Sequence, residues 1–409
     1  MMNQTKNETL EWGMILLFLL PPLGMVWMIG IGLYHICNKL LHKQTIEALH
    51  PTSFFFLTLF FSSLGACLHL REGLYFFIPA MVLGYFGLYL YVKEGDTARK
   101  LKNFSRITVL GGLYIATIGQ LQLQKGYVYG GSWWLGMLTG LMPLGLEEKH
   151  RLFGSAYNPN FASFLLLLAL ACLISGILQT IKARKNWIKP VLLYIILLFP
   201  ITLAINQTGS RVGVAITMLL FFLLVWKLCW QAGGLLMAIT SAYLVYTGSF
   251  SAIIPRFESI VQSFETRQVI WKNSIQVWNN SPLFGVTPLG FKEAYAVFEK
   301  TGIAHAHNIV LGFFCEYGII GGTSFLLLII TSLHKVVQAF FLSRQHDAKS
   351  ELFFFVLPVL LLTGVLDHPL ISPQTALLAI ILLGSWDRYT DHILAPSASF
   401  SSTKNLQSD

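Results

Sequence analysis

The chain has 409 residues, of which 55% are hydrophobic and only 11% charged, with a formal net charge of +9; an ordinary soluble protein carries about 25% charged residues. So few polar side chains could not cover the surface of a water-soluble globule of this length. A soluble enzyme, a secreted disulfide scaffold, a disordered chain and a nucleic-acid-binding domain are excluded, which leaves an all-α polytopic integral membrane protein in a lipid bilayer.

A helix that crosses a bilayer needs about 20 mostly apolar residues. Eleven segments meet or approach that criterion, within a range of ten to twelve: 13–36, 53–70, 74–92, 107–121, 161–181, 190–206, 212–228, 232–248, 309–333, 352–366 and 371–386. The first contains Pro21-Pro22 and is expected to be one kinked span. It is too long for a signal-peptide core and lacks both a basic flank and a small-residue cleavage site, so it is expected to be retained. The fourth, tenth and eleventh are short. The five cysteines, an odd number, lie within or at the ends of apolar stretches and read as small core hydrophobes rather than a disulfide framework. The expected organisation is a single integral membrane domain over 1–409 without internal repeats, ending in a cytoplasmic tail over 388–409.

Charge orients this set. With the N-terminus outside and the connections alternating, the whole +9 falls on the inner connections. The clusters Lys93, Arg99, Lys100, Lys102, Arg106 and Lys182, Arg184, Lys185, Lys189 lie in short inner loops, where the positive-inside rule has most force. Two outer connections are long. One, 122–160, holds Tyr127, Tyr129, Trp133 and Trp134, with 133–144 readable as an interfacial or re-entrant piece; the other, 249–308, is the longest polar stretch. Long loops in compact proteins usually carry function.

Residues suited to chemistry gather in these outer parts. Ala304-His305-Ala306-His307-Asn308 leads into an apolar helix that carries Glu316, Gly318, Gly321 and Gly322. Asn308 is a plausible N-cap, which puts His307 at the helix mouth. An imidazole with an ordinary pKa of about 6.5 suits proton transfer from a sugar hydroxyl, although simple capping or anchoring explains this histidine equally well. A His-x-His metal pair with His305 lacks a third ligand nearby in sequence. Gly318 and Gly322, four apart, would let another helix approach closely. Arg211, after Gln207-Thr208-Gly209-Ser210, opens an apolar run; there its guanidinium and free backbone N–H groups can attract a phosphate, or it can snorkel at the interface. Arg267, Trp271, Ile275 and Trp278 share a helical face, with Arg267 able to reach a phosphate or to pair with Glu265 or Glu258. Asn158 and Asn160 precede a span as turn and cap residues first and sugar hydrogen-bonders second. Asp367, in Leu366-Asp367-His368-Pro369, can pair an arginine, orient a histidine or cap a turn.

Together these pieces resemble the O-antigen ligase and polymerase family of bacterial cell-surface glycan assembly, over roughly 150–370. His307-Asn308, nine residues, Gly318, two residues and Gly321 match the ligase pattern in full. Asn158-Pro159-Asn160 before a span, Arg267 with Trp271 leading to Pro282 and Gly285, and Gly209-Ser210-Arg211 at a span mouth are similar to the family as well. Two departures stand out. The family's arginine is usually followed four residues later by leucine, whereas Ala215 stands here, and twelve spans with both termini inside are common in the family.

The resemblance implies a GT-C-like, metal-independent membrane glycosyltransferase that needs no cofactor and works on the outer face of the bacterial inner membrane. The donor would be a glycan on undecaprenyl pyrophosphate. Arg211 and Arg267 would hold the pyrophosphate and His307 would activate or orient the acceptor hydroxyl, with Asn308, Asn158, Asn160, Trp271 and Asp367 as substrate contacts. A ligase would use lipid A-core or another surface glycan as acceptor, and a polymerase the growing lipid-linked glycan. A lipid-linked oligosaccharide flippase is the rival class; it would be expected to place ionisable residues inside its spans and to keep its outer loops short.

Overall fold

A computed structural model of the protein describes residues 2–47, 50–95, 97–125, 132–144, 150–183, 186–248, 255–300, 302–342 and 348–394. Among these residues there is no β-strand. The α-helices are α1 (Met2–Leu19), α2 (Pro21–Leu41), α3 (Pro51–Leu70), α4 (Phe77–Lys93), α5 (Thr97–Lys125), α6 (Trp133–Thr139), α7 (Pro159–Ala183), α8 (Ile188–Gln207), α9 (Arg211–Leu228), α10 (Trp230–Thr247), α11 (Ile260–Asn280), α12 (Thr287–Ala296), α13 (Ile309–Val337), α14 (Ala348–Thr363) and α15 (Pro373–Leu394).

Six helical stretches are long and apolar enough to cross a membrane: Pro51–Leu70, Gly73–Lys93, Pro159–Ala183, Ile188–Gln207, Arg211–Leu228 and Ile309–Phe340. They coincide with six of the eleven expected spans. The other five segments are helical as well, in α1 and α2, α5, α10, α14 and α15, but do not reach that threshold. The bundle is built around α7, whose apolar window is 89% buried, whereas α8 and α9 bury only 22% and 17% of theirs. A helix apolar on every side belongs inside, and α7 is enclosed by α5, α8, α9 and α14. The apolar outer faces of α8 and α9 are what a bilayer would cover.

The first expected span is corrected by the structure. Residues 13–36 do not form one kinked helix: α1 ends at Leu19 and α2 starts at Pro21, with prolines in its first turn. The two helices then fold back on each other. The Trp27 indole donates to Thr9 O at 3.0 Å, and a Cβ on Gly24 would meet the Leu17 backbone within 2.3 Å. Further along, α1 lies parallel to α5, with Glu11 beside Asn103 and Phe18 beside Gly111. The start of α1 therefore lies at the same end of the bundle as the end of α15, which changes the parity expected from the sequence. The helix α15 also runs on to Leu394, so the first residues of the expected 388–409 tail are helical; 395–409 lie outside the described residues.

The second correction concerns Gly318. It does not serve a close helix–helix approach. Inside α13 it has φ +63° and ψ −165°, a region essentially restricted to glycine. The break lets the 281–286 turn dock into the helix: Ile319 N–H donates to Pro282 O at 2.8 Å and Val286 N–H to Cys315 O at 2.9 Å. Ser62 of α3 donates its hydroxyl to the Tyr317 carbonyl beside the break. A Cβ on Gly318 would come within 2.2 Å of Leu283 O. The 249–308 connection is thus largely α11 and α12 packed against α13, with 249–254 and 301 outside the described residues. In α11 the buried positions are Ile270, Ser274 and Val277. Arg267, Trp271 and Trp278 flank that face, and Ile275 is exposed rather than part of it. In the 122–160 connection, the expected 133–144 piece is the short helix α6, while 126–131 and 145–149 lie outside the described residues.

Candidate functional site

Two polar groups occupy the end of the bundle where α7, α9 and α13 begin. The first is built on the α13 mouth. Asn308 is the N-cap: its Oδ1 accepts from Leu311 N–H at 2.9 Å while its Nδ2 donates to Val365 O at 3.0 Å. Ile309 N–H donates to Gly364 O at 2.9 Å, so the α13 mouth is clamped to the 364–368 turn. These contacts hold His307 at φ +49°, a left-handed conformation that costs an L-residue roughly 1–2 kcal/mol. Strain of this kind persists only where the surroundings over-determine it.

In that position His307 Nδ1 lies 3.3 Å from Asp367 Oδ1. The same carboxylate oxygen accepts from His368 N–H at 2.8 Å and faces His305 Nε2 at 3.8 Å. Burial alone would raise the Asp367 carboxyl, but the His307 hydrogen bond, the neighbouring His305 and His307 rings and the His368 N–H outweigh it and hold the carboxyl well below the usual carboxylate range. Burial, reinforced by His307 and His368 against the opposing Asp367, pushes His305 down to about 3. His305 is therefore neutral near neutral pH. Its Nδ1 accepts from His307 N–H at 3.3 Å, so its own proton sits on Nε2, facing Asp367. His307, with a quarter of its side chain exposed, turns Nδ1 to Asp367 and leaves Nε2 without a hydrogen-bond partner among the described residues.

The second group surrounds the α8–α9 turn. Ser210 caps α9, its Oγ accepting from Gly213 N–H at 3.1 Å, and Arg211 follows as the first residue of the helix. Arg211 donates to Pro255 O at 3.2 Å, Arg256 O at 2.7 Å and Ser259 Oγ at 2.6 Å. Arg256 donates to Gly209 O at 2.9 Å, and Arg151 to Thr208 O at 2.5 Å and Asn160 Oδ1 at 2.7 Å. Arg267 and Arg151 stand close enough for their charges to act on Arg211, and Arg267 Nε is buried without a hydrogen-bond partner. Among the described residues no carboxylate pairs with Arg211 or Arg267. The Glu265 and Glu258 pairings open from the sequence do not occur there.

The structure brings Arg211 and Arg267 together and joins Asp367 to His307. No hydrogen bond or ion pair links these two groups among the described residues. Asn158, Asn160 and Asn308 are engaged in the fold: Asn158 Oδ1 accepts from Asn160 N–H at 2.8 Å, Asn160 orients Arg151, and Asn308 is spent on its cap and Val365. Trp271 packs against the α11–α13 core with its indole nitrogen buried and unpartnered. Sequence reasoning missed Arg151, which follows Lys149-His150, and Arg256, near the start of the 249–308 connection. It also set aside His305 as a ligand for want of a third donor. That donor is Asp367, sixty residues away in sequence, and one ligand atom from each of the three residues lies within 4.8 Å of the others.

No curated protein matches this chain. The family model described as O-Antigen ligase matches residues 193–326, a stretch that holds Arg211, Arg267 and the whole His307-to-Gly321 pattern, so this part of the chain is similar to the O-antigen ligase family.

Proposed function

We propose that this protein is a metal-independent membrane glycosyltransferase that moves a saccharide from undecaprenyl pyrophosphate to an acceptor hydroxyl at the outer face of the bacterial inner membrane. The observation that carries this reading is the Asp367–His307 hydrogen bond, which leaves His307 Nε2 free as a base. The acceptor oxygen attacks the anomeric carbon as its proton passes to His307 Nε2. The bond from that carbon to the phosphate oxygen breaks, and the electron pair leaves with the pyrophosphate. Arg211 and Arg267, which lack carboxylate partners, offset the charge that develops there, and Arg151 and Arg256 shape the turn that presents them. Asp367 keeps the His307 proton on Nδ1 and stabilises the imidazolium that forms, as a carboxylate does for a catalytic histidine elsewhere. The strict His307-Asn308 pattern favours ligation onto lipid A-core or another surface glycan; polymerisation of the lipid-linked glycan is the alternative.

The test is transfer by the purified protein from lipid-linked donor to acceptor, with His307→Ala and His305→Ala compared in EDTA and in added divalent cation. The reading requires His307→Ala to abolish transfer, His305→Ala to be milder, and chelator to have no effect. A second reading, a cation held by His305, His307 and Asp367, is favoured by their spacing; equal losses in both histidine variants, with EDTA-sensitive wild-type activity restored by cation, would establish it. Orientation is tested by Gln262→Cys in a variant lacking the exposed Cys37 and Cys229. Labelling by an impermeant thiol reagent in intact cells supports the outer placement, and labelling only after lysis overturns it.

A further inference from the structure

Beneath the His307–Asp367 pair lies a second ionisable pair. Glu316 on α13 and His368 in the 364–368 turn are each 2% exposed, with His368 Nε2 3.3 Å from Glu316 Oε1. Glu316 sits eight residues into α13 from the Asn308 cap, about 12 Å along the helix at 1.5 Å per residue. Ionisable side chains at such a depth are costly, and they mark function more often than packing. A hydrophobic contact of similar volume would hold the turn at least as firmly, so simple attachment of the turn to α13 does not account for an ionisable pair here.

Three contacts connect this pair to the exposed one. His368 donates its backbone N–H to Asp367 Oδ1 at 2.8 Å, the same atom that His307 Nδ1 approaches at 3.3 Å. The His368 ring is wedged over Gly312, where a Cβ would come within 2.7 Å of a ring carbon, and lies 5.7 Å from the Phe313 ring. It also stands edge-on to His305 at 6.2 Å. With Gly312 beneath it and Glu316 gripping Nε2, the ring fixes the backbone of residue 368 and so the direction of the N–H that holds Asp367.

We propose that Glu316 and His368 are positioning residues for glycan transfer: neither touches a substrate, and together they hold the Asp367 carboxylate in register with His307. This inference rests on the reading of His307 as the base. It predicts that the pair acts through Asp367 and on the chemical step, not on substrate capture.

The experiment measures kcat and the donor and acceptor KM of the full-length purified enzyme for Glu316→Gln, His368→Gln, Asp367→Asn and the Glu316→Gln/Asp367→Asn double variant, each normalised to folded protein. Glu316→Gln should lower kcat about tenfold, as is usual for coupled members of one network, with both KM values near those of the wild type. His368→Gln should behave similarly. In the Asp367→Asn background, Glu316→Gln should cost less than about twofold more, since a residue acting through Asp367 has nothing left to position. Multiplying losses in the double variant would overturn the proposal. So would a Glu316→Gln enzyme with wild-type kcat, or one in which only the amount of folded protein falls. A fully active His307→Ala enzyme would remove the base itself; a dead His307→Ala beside an unaffected Glu316→Gln would sink this inference alone.

Discussion

The two ends of the bundle treat charge in opposite ways. At the end away from the candidate site the central network pairs opposite charges: Lys335 reaches Asp387 at 2.7 Å and Asp391 at 3.1 Å, Lys93 reaches Asp391 at 3.1 Å, and Lys39 reaches Glu94 at 2.8 Å. At the site end Arg211 is held by carbonyls and a hydroxyl, and Arg267 keeps a buried Nε with no partner. An unsatisfied buried donor costs roughly 1–3 kcal/mol, and more when charged. A network closed upon itself stabilises the fold. Arg211 and Arg267, without a carboxylate partner among the described residues, leave room for an anionic group supplied from outside the chain.

That contrast can be broken most sharply at the site end. His307→Ala removes the base and should slow transfer about 10²–10⁴-fold with donor binding intact, read as single-turnover rates on purified protein. Next in size come Arg211→Ala and Arg267→Ala, each expected to lose about 2–4 kcal/mol of transition-state stabilisation. The lysine variants should recover part of the rate, because lysine restores charge but not the bidentate fork. If both alanine variants transfer at near-normal rates, the open cation group does not bind the leaving pyrophosphate.

Asp367→Asn sharpens the comparison at a single residue. The Asp367 carboxyl is held well below its usual range, because the His307 hydrogen bond, the neighbouring histidines and the His368 N–H outweigh its burial. The variant keeps the size of the side chain but loses the charge that faces His307 Nδ1 at 3.3 Å, so the rate of transfer should fall by about tenfold or more. An Asp367→Asn enzyme that transfers at the wild-type rate would show that this carboxylate does not position His307.

Much of this arrangement was legible in the sequence, for identifiable reasons. Caps and helix mouths are local, so Ser210-Arg211 and His307-Asn308 could be placed from short strings, and both stand where expected. The hairpin at Leu20 was not legible because a proline pair reads equally as a kink or as the first turn of a new helix; only the contact of Trp27 with Thr9 decides between them. Gly318 and Gly322 have the spacing of a helix contact, and nothing local announces that the 281–286 turn enters the helix at Gly318. The meeting of His305, His307 and Asp367 spans sixty residues, and such pairings belong to tertiary packing rather than to any sequence window.

The smallest effect on transfer is expected at the closed end, and it completes the comparison. Asp387 is 2% exposed and accepts from Thr52 Oγ1 at 2.5 Å, Tyr89 OH at 2.9 Å and Lys335 Nζ at 2.7 Å. Asp387→Asn removes one partner of a buried ion pair, which typically destabilises by about 3–5 kcal/mol because the other charge is left behind. Lys335 retains Asp391, so the loss should fall at the lower end of that range. The thermal midpoint in detergent should drop, while kcat per folded molecule stays within about twofold of wild type, since well-separated sites contribute independently. Replacing both partners, Lys335→Met with Asp387→Leu, should recover part of the midpoint, because an apolar pair leaves no stranded charge. A variant that stays folded at the wild-type midpoint yet transfers slowly would reverse the assignment and make this network part of the reaction rather than of the frame.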